Sequence, residues 1–171
     1  MRLISAAFAT PALAELKPGD PAPAFSAPAY LAGDAFGFKL ADALAEGPVV
    51  VYFFPAANTP GCNVEAALFS QAIDRFKAHG VAVIGVTAGN VDQLAEFSSN
   101  TETCAGKFPV AADSGAKIAA DYDAVLDNKP GWASRTSYLV APDGRIAAAY
   151  TDMNPSRHVR AMLDAAEALG N

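Results

Sequence analysis

Residues 49–54 read Val-Val-Val-Tyr-Phe-Phe, a continuous run of β-branched and aromatic side chains between Pro48 and Pro55. A strand with one face in water alternates apolar and polar positions. A run with no polar position suits a strand covered on both faces, so helices must lie above and below the sheet. Residues 61–78 then take helical spacing: Val64, Leu68, Ala72 and Phe76 fall on one face, with Phe69 and Ile73 beside it. Gly80 is placed to stop that helix. Val81–Val86 is a second apolar run and a second buried strand. Strand, helix and strand of this kind form a parallel βαβ unit.

The remaining chain is built around that unit. Pro and Gly punctuate residues 17–28, an extended lead-in, and Ala35–Lys39 alternates weakly, as a short edge strand does. Asp42–Ala45 suits one helical turn. Val91–Phe97 predicts a second helix with Leu94 and Phe97 inward. Phe108–Ala112 is extended, and Gly115–Tyr122 predicts a short third helix. Thr136–Val140 and Ile146–Tyr150 flank the turn signal Pro142-Asp-Gly144 and form a hairpin. Asn154 caps a last helix with Pro155 at its first position, running to about Leu169. The order is β-α-β-α, hairpin, helix. That is an α/β, thioredoxin-like arrangement: a central mixed sheet, helices on both faces and an N-terminal extension. Residues 15–171 form one such domain, with no internal repeat.

Composition narrows the function classes. Twelve basic residues against 18 acidic give net charge −6 and a pI of about 4.7. That balance argues against nucleic acid as a partner, which needs clustered Lys and Arg. No apolar run reaches membrane-spanning length. Two cysteines and two histidines leave no zinc site of ordinary spacing, and no phosphate-binding Gly-rich loop is present, so neither metal nor cofactor is expected. Residues 1–14 combine Arg2, an apolar stretch and the ending Ala12-Leu-Ala14. That pattern is a secretory signal peptide, cleaved before Glu15. Export to a periplasm follows if the source is bacterial, with a cytoplasmic location as the alternative. In an oxidising compartment the two cysteines could pair.

Cys62 is the chemical centre. It follows the first long strand and falls in the first turn of the first long helix, where backbone N–H groups lack partners and the helix dipole is positive. Both favour a thiolate over a thiol. The local string is Pro55-Ala-Ala-Asn-Thr59-Pro60-Gly61-Cys62. The Thr59 hydroxyl could donate to the sulfur or to a bound oxygen, and Pro60-Gly61 makes a turn that admits close backbone approach. A small cysteine buried at a helix start, with no chemistry, is the plain alternative. His79 and His158 lie away from this string and read as surface residues. Trp132 either lines the site or packs beside it.

The string Tyr52–Cys62, with Glu65 three residues on, resembles the peroxidatic motif of the AhpC/TSA-type peroxiredoxins, in particular the bacterioferritin-comigratory-protein or PrxQ subfamily. Leu16–Phe25, Phe108–Asp113 and Arg135–Gly144 are similar to other segments of that family, so the resemblance covers roughly residues 16–160. It implies a thiol-dependent peroxidase acting on hydrogen peroxide and organic hydroperoxides. Cys62 would attack the peroxide and become a sulfenic acid. Thr59, Arg135 and the Gly61 and Cys62 amides would stabilise the departing oxygen. Pro55 would shield the sulfur. Glu65 would orient Arg135, or else stand as a solvated helix charge.

Some relatives in the subfamily carry a resolving cysteine five residues after the first, where this chain has Ala67. Cys104, near the end of the second predicted helix, is the other thiol. It is either the resolving cysteine, a bystander in a one-cysteine enzyme, or half of a permanent disulfide. The resemblance further implies a monomer reduced by a thioredoxin-like or other thiol partner. Two rivals share the fold. A thiol–disulfide oxidoreductase needs Cys-x-x-Cys, which Cys62-Asn-Val-Glu65 lacks. A redox-inert binding module would have no use for Thr59, Cys62 and Arg135 together.

Overall fold

A computed structural model describes residues 15–171; the expected leader, residues 1–14, lies outside the described residues. The first regular elements of the described residues are an antiparallel hairpin, β1 (Ser26–Leu31) and β2 (Asp34–Lys39), and then helix α1 (Leu40–Glu46). Strand β3 (Val49–Phe53), the long helix α2 (Pro60–Ala78) and β4 (Ala82–Thr87) follow. A 3-10 turn at Val91–Gln93 runs into α3 (Leu94–Ser99), before β5 (Val110–Ala112) and α4 (Lys117–Asp121). A small ribbon of β6 (Val125–Leu126) and β7 (Lys129–Ala133) precedes the hairpin β8 (Thr136–Val140) and β9 (Ile146–Thr151). A 3-10 turn at Pro155–Arg157 leads into α5 (His158–Leu169), and Asn154 Oδ1 accepts from the Ser156 amide at its start.

Seven strands form one mixed sheet in the order β2-β1-β5-β4-β3-β8-β9. β3 runs parallel to β4 and antiparallel to β8. The apolar run is explained by its two faces. Val50, Tyr52 and Phe54 join Phe69, Ile73 and Phe76 of α2, Phe97 of α3 and Leu163 of α5 in one core. Val49, Val51 and Phe53 join Leu40, Ala119, Tyr122 and Tyr138 in the other. With both faces covered, no position of β3 meets water, and each large side chain contributes about 1.5–3 kcal/mol of burial.

Several elements depart from the sequence reading. The second helix is a 3-10 turn plus a short α-helix. The extended lead-in of residues 17–28 runs into a strand, β1 (Ser26–Leu31), that contains Pro28, a residue that opposes strand pairing. It is tolerated there because β1 meets β5 only at Ala29 and Tyr30. The β6–β7 ribbon had no periodic signal. The α2 face also differs: Val64 is 50% exposed. The buried stripe runs instead through Cys62, Glu65, Ala66, Phe69, Ile73 and Phe76. A row stepped by four residues drifts around a helix of 3.6 residues per turn, so Val64 is carried off the face that Phe69 and Phe76 define. The same rotation turns Cys62 and Glu65 inward.

The loop joining β3 to α2 is stapled to the end of β4. The Ala57 amide donates to the Gly89 carbonyl at 3.2 Å, Thr87 Oγ1 donates to the Pro55 carbonyl at 3.2 Å, and Asn90 Nδ2 donates to the Ala57 carbonyl at 2.8 Å. Gly89 is required by close approach. A Cβ on it would stand 2.4 Å from the Pro55 oxygen and 2.6 Å from the Ala56 Cβ. Gly89→Ala should therefore cost about 1–3 kcal/mol of stability and slow alkylation of Cys62 by shifting the loop that carries it. Thermal denaturation and iodoacetamide kinetics indistinguishable from wild type would contradict this.

Candidate active site

Thr59 is the residue capping α2, in extended conformation, with Pro60 in the first turn. The missing Pro60 N–H is one that a helix start leaves unpaired in any case. Gly61 and Cys62 come next, so their amides point out of the helix end with no carbonyl a turn earlier to meet them. The next amide, on Asn63, is already committed to the Thr59 carbonyl at 2.8 Å. Cys62 Sγ therefore lies beside free donors and the positive end of a helix of 19 residues. The cysteine is 2% exposed and its thiol is free.

Thr59 differs from expectation. Its hydroxyl donates to the Ala56 carbonyl at 2.9 Å, not to the sulfur. With that proton committed, its oxygen presents lone pairs, so Thr59 can accept a hydrogen bond from a bound hydroperoxide. Asn58 supports the turn from a left-handed conformation, with its amide nitrogen donating to Gln93 Oε1 at 2.7 Å. Pro55 is buried at the end of β3. It shapes the site through its carbonyl, which Thr87 holds.

Arg135 arrives by sheet register. Phe53 pairs with Thr136 across β3 and β8, so the residue before Thr136 stands beside the start of the catalytic loop. Its guanidinium is 4% exposed and uses all three nitrogens. Nε donates to the Met153 carbonyl at 2.9 Å, Nη1 to Glu65 Oε1 at 3.3 Å and Nη2 to Cys62 Sγ at 3.6 Å. Gly61 makes room for this group: a Cβ there would stand 3.0 Å from Arg135 Nη2.

Glu65 is not a solvated helix charge. It is fully buried and paired with Arg135. Burial pushes its carboxyl up to about 8, against the opposing pull of the Arg135 charge and hydrogen bond. Its second oxygen, Oε2, has no hydrogen-bond partner. His158, read from sequence as a surface residue, is also fully buried, with Nε2 3.8 Å from that oxygen. His79, by contrast, is exposed at the end of α2. Trp132 lies on β7 with the Lys129 ammonium 3.1 Å over its ring.

Cys104 lies beyond α3, in the turns of residues 101–106, and is a free, buried thiol. Burial raises its pKa, so it is held as the neutral thiol. Both cysteines belong to the same apolar cluster, around Tyr52, Phe54, Phe69, Phe97 and Phe108. Among the described residues no group of His, Cys, Asp and Glu gathers as a metal site requires, and no helix is long and apolar enough to cross a membrane. Thr59, Pro60, Gly61, Cys62, Glu65 and Arg135 come together as one site. The Met153 carbonyl and the Thr87–Asn90 staple had no sequence signal, because they act through backbone atoms and loop approach.

The Gly61 contact yields a test that separates site geometry from stability. Gly61→Ala replaces glycine by the best helix former in the first turn, which favours the helix, yet drives the guanidinium off the sulfur. Alkylation of Cys62 at neutral pH, measured well below the melting temperature of both proteins, should slow about tenfold, on the scale of one charge-assisted hydrogen bond. Wild-type alkylation in this variant would refute the assigned contact.

Comparison with known proteins places this arrangement. The AhpC/TSA family profile matches residues 18–149. A putative peroxiredoxin of Mycobacterium tuberculosis is 31% identical over 150 residues, covering 84% of this chain and 90% of the relative. The chloroplastic peroxiredoxin Q of Oryza sativa subsp. japonica is 28% identical over 123 residues, covering 71% of this chain and 55% of that protein. The crystal structure of the peroxidoxin BcpB of M. tuberculosis shares the fold, with a TM-score of 0.79 and 24% identity over 90% of this chain and 98% of that one. A reduced 2-Cys peroxiredoxin of Plasmodium vivax shares it too, with a TM-score of 0.78, 21% identity and coverage of 88% and 80%. With the family profile spanning most of the chain and a relative this similar across it, the chain belongs to the AhpC/TSA family and is a peroxiredoxin.

Proposed function

We propose that Cys62 is the thiolate that attacks peroxide in this thiol-dependent peroxidase, and that Cys104 resolves the product. The observation that carries the reading is the buried Arg135 guanidinium, 3.6 Å from a sulfur at a helix N-terminus. A thiolate placed there is stabilised by a full positive charge and by unpaired amides. Cys62 Sγ attacks one oxygen of the hydroperoxide, the O–O bond breaks, and the departing oxygen leaves as an alkoxide or hydroxide that takes up a proton. Sulfur is oxidised by two electrons to the sulfenic acid, and the peroxide is reduced to water or an alcohol. Arg135 Nη2 and the Gly61 and Cys62 amides face the charge that develops on the departing oxygen. The Thr59 oxygen, free to accept, orients the hydroperoxide O–H.

In the second step the Cys104 thiol attacks the Cys62 sulfenic sulfur. An S–S bond forms and water leaves. Cys104 is buried and held neutral, so this step needs local opening of the first turn of α2 and of the short segment after α3. Within the string 98–104, Ser-Ser-Asn-Thr-Glu-Thr-Cys, the buried Ser98, Thr103 and Cys104 must leave the core for the sulfurs to meet. A dithiol reductant, thioredoxin-like or another thiol, then returns both cysteines to thiols. The signal-like composition of residues 1–14 supports export, where the reducing thiol would be supplied outside the cytoplasm. A monomer, with hydrogen peroxide and organic hydroperoxides as substrates, completes the reading.

Intact mass after one equivalent of hydrogen peroxide tests it, on the reduced wild type and on Cys104→Ser. Loss of two hydrogens in the wild type with gain of one oxygen in the variant is the expected pair of results. Gain of oxygen in both would make this a one-cysteine enzyme resolved by an outside thiol. No change in either would overturn Cys62 as the attacking group.

A further inference from the structure

His158 is the least expected residue near the site, and its contacts converge on Arg135. It opens α5, and its imidazole is fully buried. Nε2 lies 2.7 Å from the Asp152 carbonyl, and Nδ1 lies 2.9 Å from Ser137 Oγ. A carbonyl oxygen only accepts, so Nε2 carries the proton. Nδ1 of the neutral ring is then the acceptor, and the Ser137 hydroxyl donates to it. Burial lowers the pKa of the ring, and the nearby Arg135 charge adds to that effect, so the ring is held in this neutral tautomer. The Tyr150 ring packs against it at 4.8 Å, edge to face.

Each of these contacts leads back to the guanidinium. Asp152 directly precedes Met153, whose carbonyl accepts from Arg135 Nε. The Asp152 amide in turn donates to the Arg135 carbonyl at 3.3 Å. Ser137, on β8, is two residues after Arg135, which directly precedes that strand. Glu65 Oε2, the orphaned oxygen, faces His158 Nε2 at 3.8 Å, while Oε1 of the same carboxyl takes the bond from Arg135 Nη1. The ring thus touches the backbone beside one Arg135 acceptor and the carboxyl that supplies the other.

We infer that His158 is a positioning residue for peroxide reduction: it seats the Met153 carbonyl and the Glu65 carboxyl, between which the Arg135 guanidinium is clamped against Cys62. The inference rests on Cys62 and Arg135 forming the peroxide site. His158 does not itself reach the sulfur. Its effect must pass through Arg135, and that requirement makes it separable from a contribution to folding alone.

The experiment is the rate constant for oxidation of Cys62 by hydrogen peroxide in wild type, His158→Leu, His158→Gln, Arg135→Ala and the double variant His158→Leu/Arg135→Ala, each well below its melting temperature. His158→Leu should be about ten- to a hundredfold slower, the scale of misplacing one charge-assisted hydrogen bond. His158→Gln keeps an N–H toward Asp152 and should recover most of the rate. In the Arg135→Ala background His158→Leu should cause no further loss, since residues that act through one another are not additive. A wild-type rate in His158→Leu, or the same proportional loss with Arg135 absent, would overturn the inference. If His158→Leu does not fold, His158→Asn carries the same comparison, because its shorter amide ends at the Nδ1 position and does not reach the Asp152 carbonyl, and the same two results would overturn it. A wild type whose Cys62 resists peroxide would instead bring down the peroxidase reading and this inference together.

Discussion

The site depends on one buried cation. Arg135 places a guanidinium against a sulfur, and each of its three nitrogens has its own acceptor: the Met153 carbonyl, the Glu65 carboxyl and Cys62. A buried charge with too few partners is costly, and breaking a buried pair costs about 3–5 kcal/mol. The Glu65 carboxyl and the Met153 carbonyl therefore do more than satisfy it. They fix the fork so that one N–H is left to face Cys62 Sγ. A lysine in the same place would bring the charge without the fork.

The fold supplies this geometry through register and twofold coverage of the sheet. A short loop carries the chain from the end of β3 to the start of α2, so the cysteine meets the helix dipole and free amides near the carboxyl end of a buried strand, where open α/β sheets place their ligands. β8 runs antiparallel beside β3, so Arg135, just before β8, meets the same end. The loop between β3 and α2 is buried through Phe54, Ala56 and Ala57. It is held by Thr87, Gly89 and Asn90 at the end of the neighbouring strand. The stripe of α2 that buries Phe69 and Phe76 also turns Cys62 and Glu65 inward, so core packing and site geometry are set by one helix rotation.

Much of this was legible from residues 49–86. An apolar run bounded by prolines, a helical period and a second run specify a parallel unit with helices on both faces, and Cys62 sits where the first strand hands over to the helix. Arg135 was legible only through family resemblance, because its approach depends on strand register and not on spacing along the chain. Four features are not legible locally, each for a physical reason. Val64 was placed inward by counting in fours along a 3.6-residue helix. Glu65 could not be told from a surface charge, because its partner is 70 residues away. His158 follows a proline-capped turn in a polar string, and nothing local shows that β8, β9 and α2 close over it. The Thr59 hydroxyl reads as a donor to the sulfur from spacing alone, because the turn that brings the Ala56 carbonyl to it is not visible in the sequence.

The most direct test of the account is the rate constant for hydrogen peroxide with Arg135→Lys against wild type, read as formation of the Cys62 sulfenic acid with Cys104 replaced by serine in both. One ammonium group cannot hold Glu65 and Met153 while donating to the sulfur. The account predicts a rate about ten- to a hundredfold lower in a folded protein. A lysine variant that reacts at the wild-type rate would show that positive charge alone suffices, and the clamped guanidinium would lose its place as the basis of the chemistry.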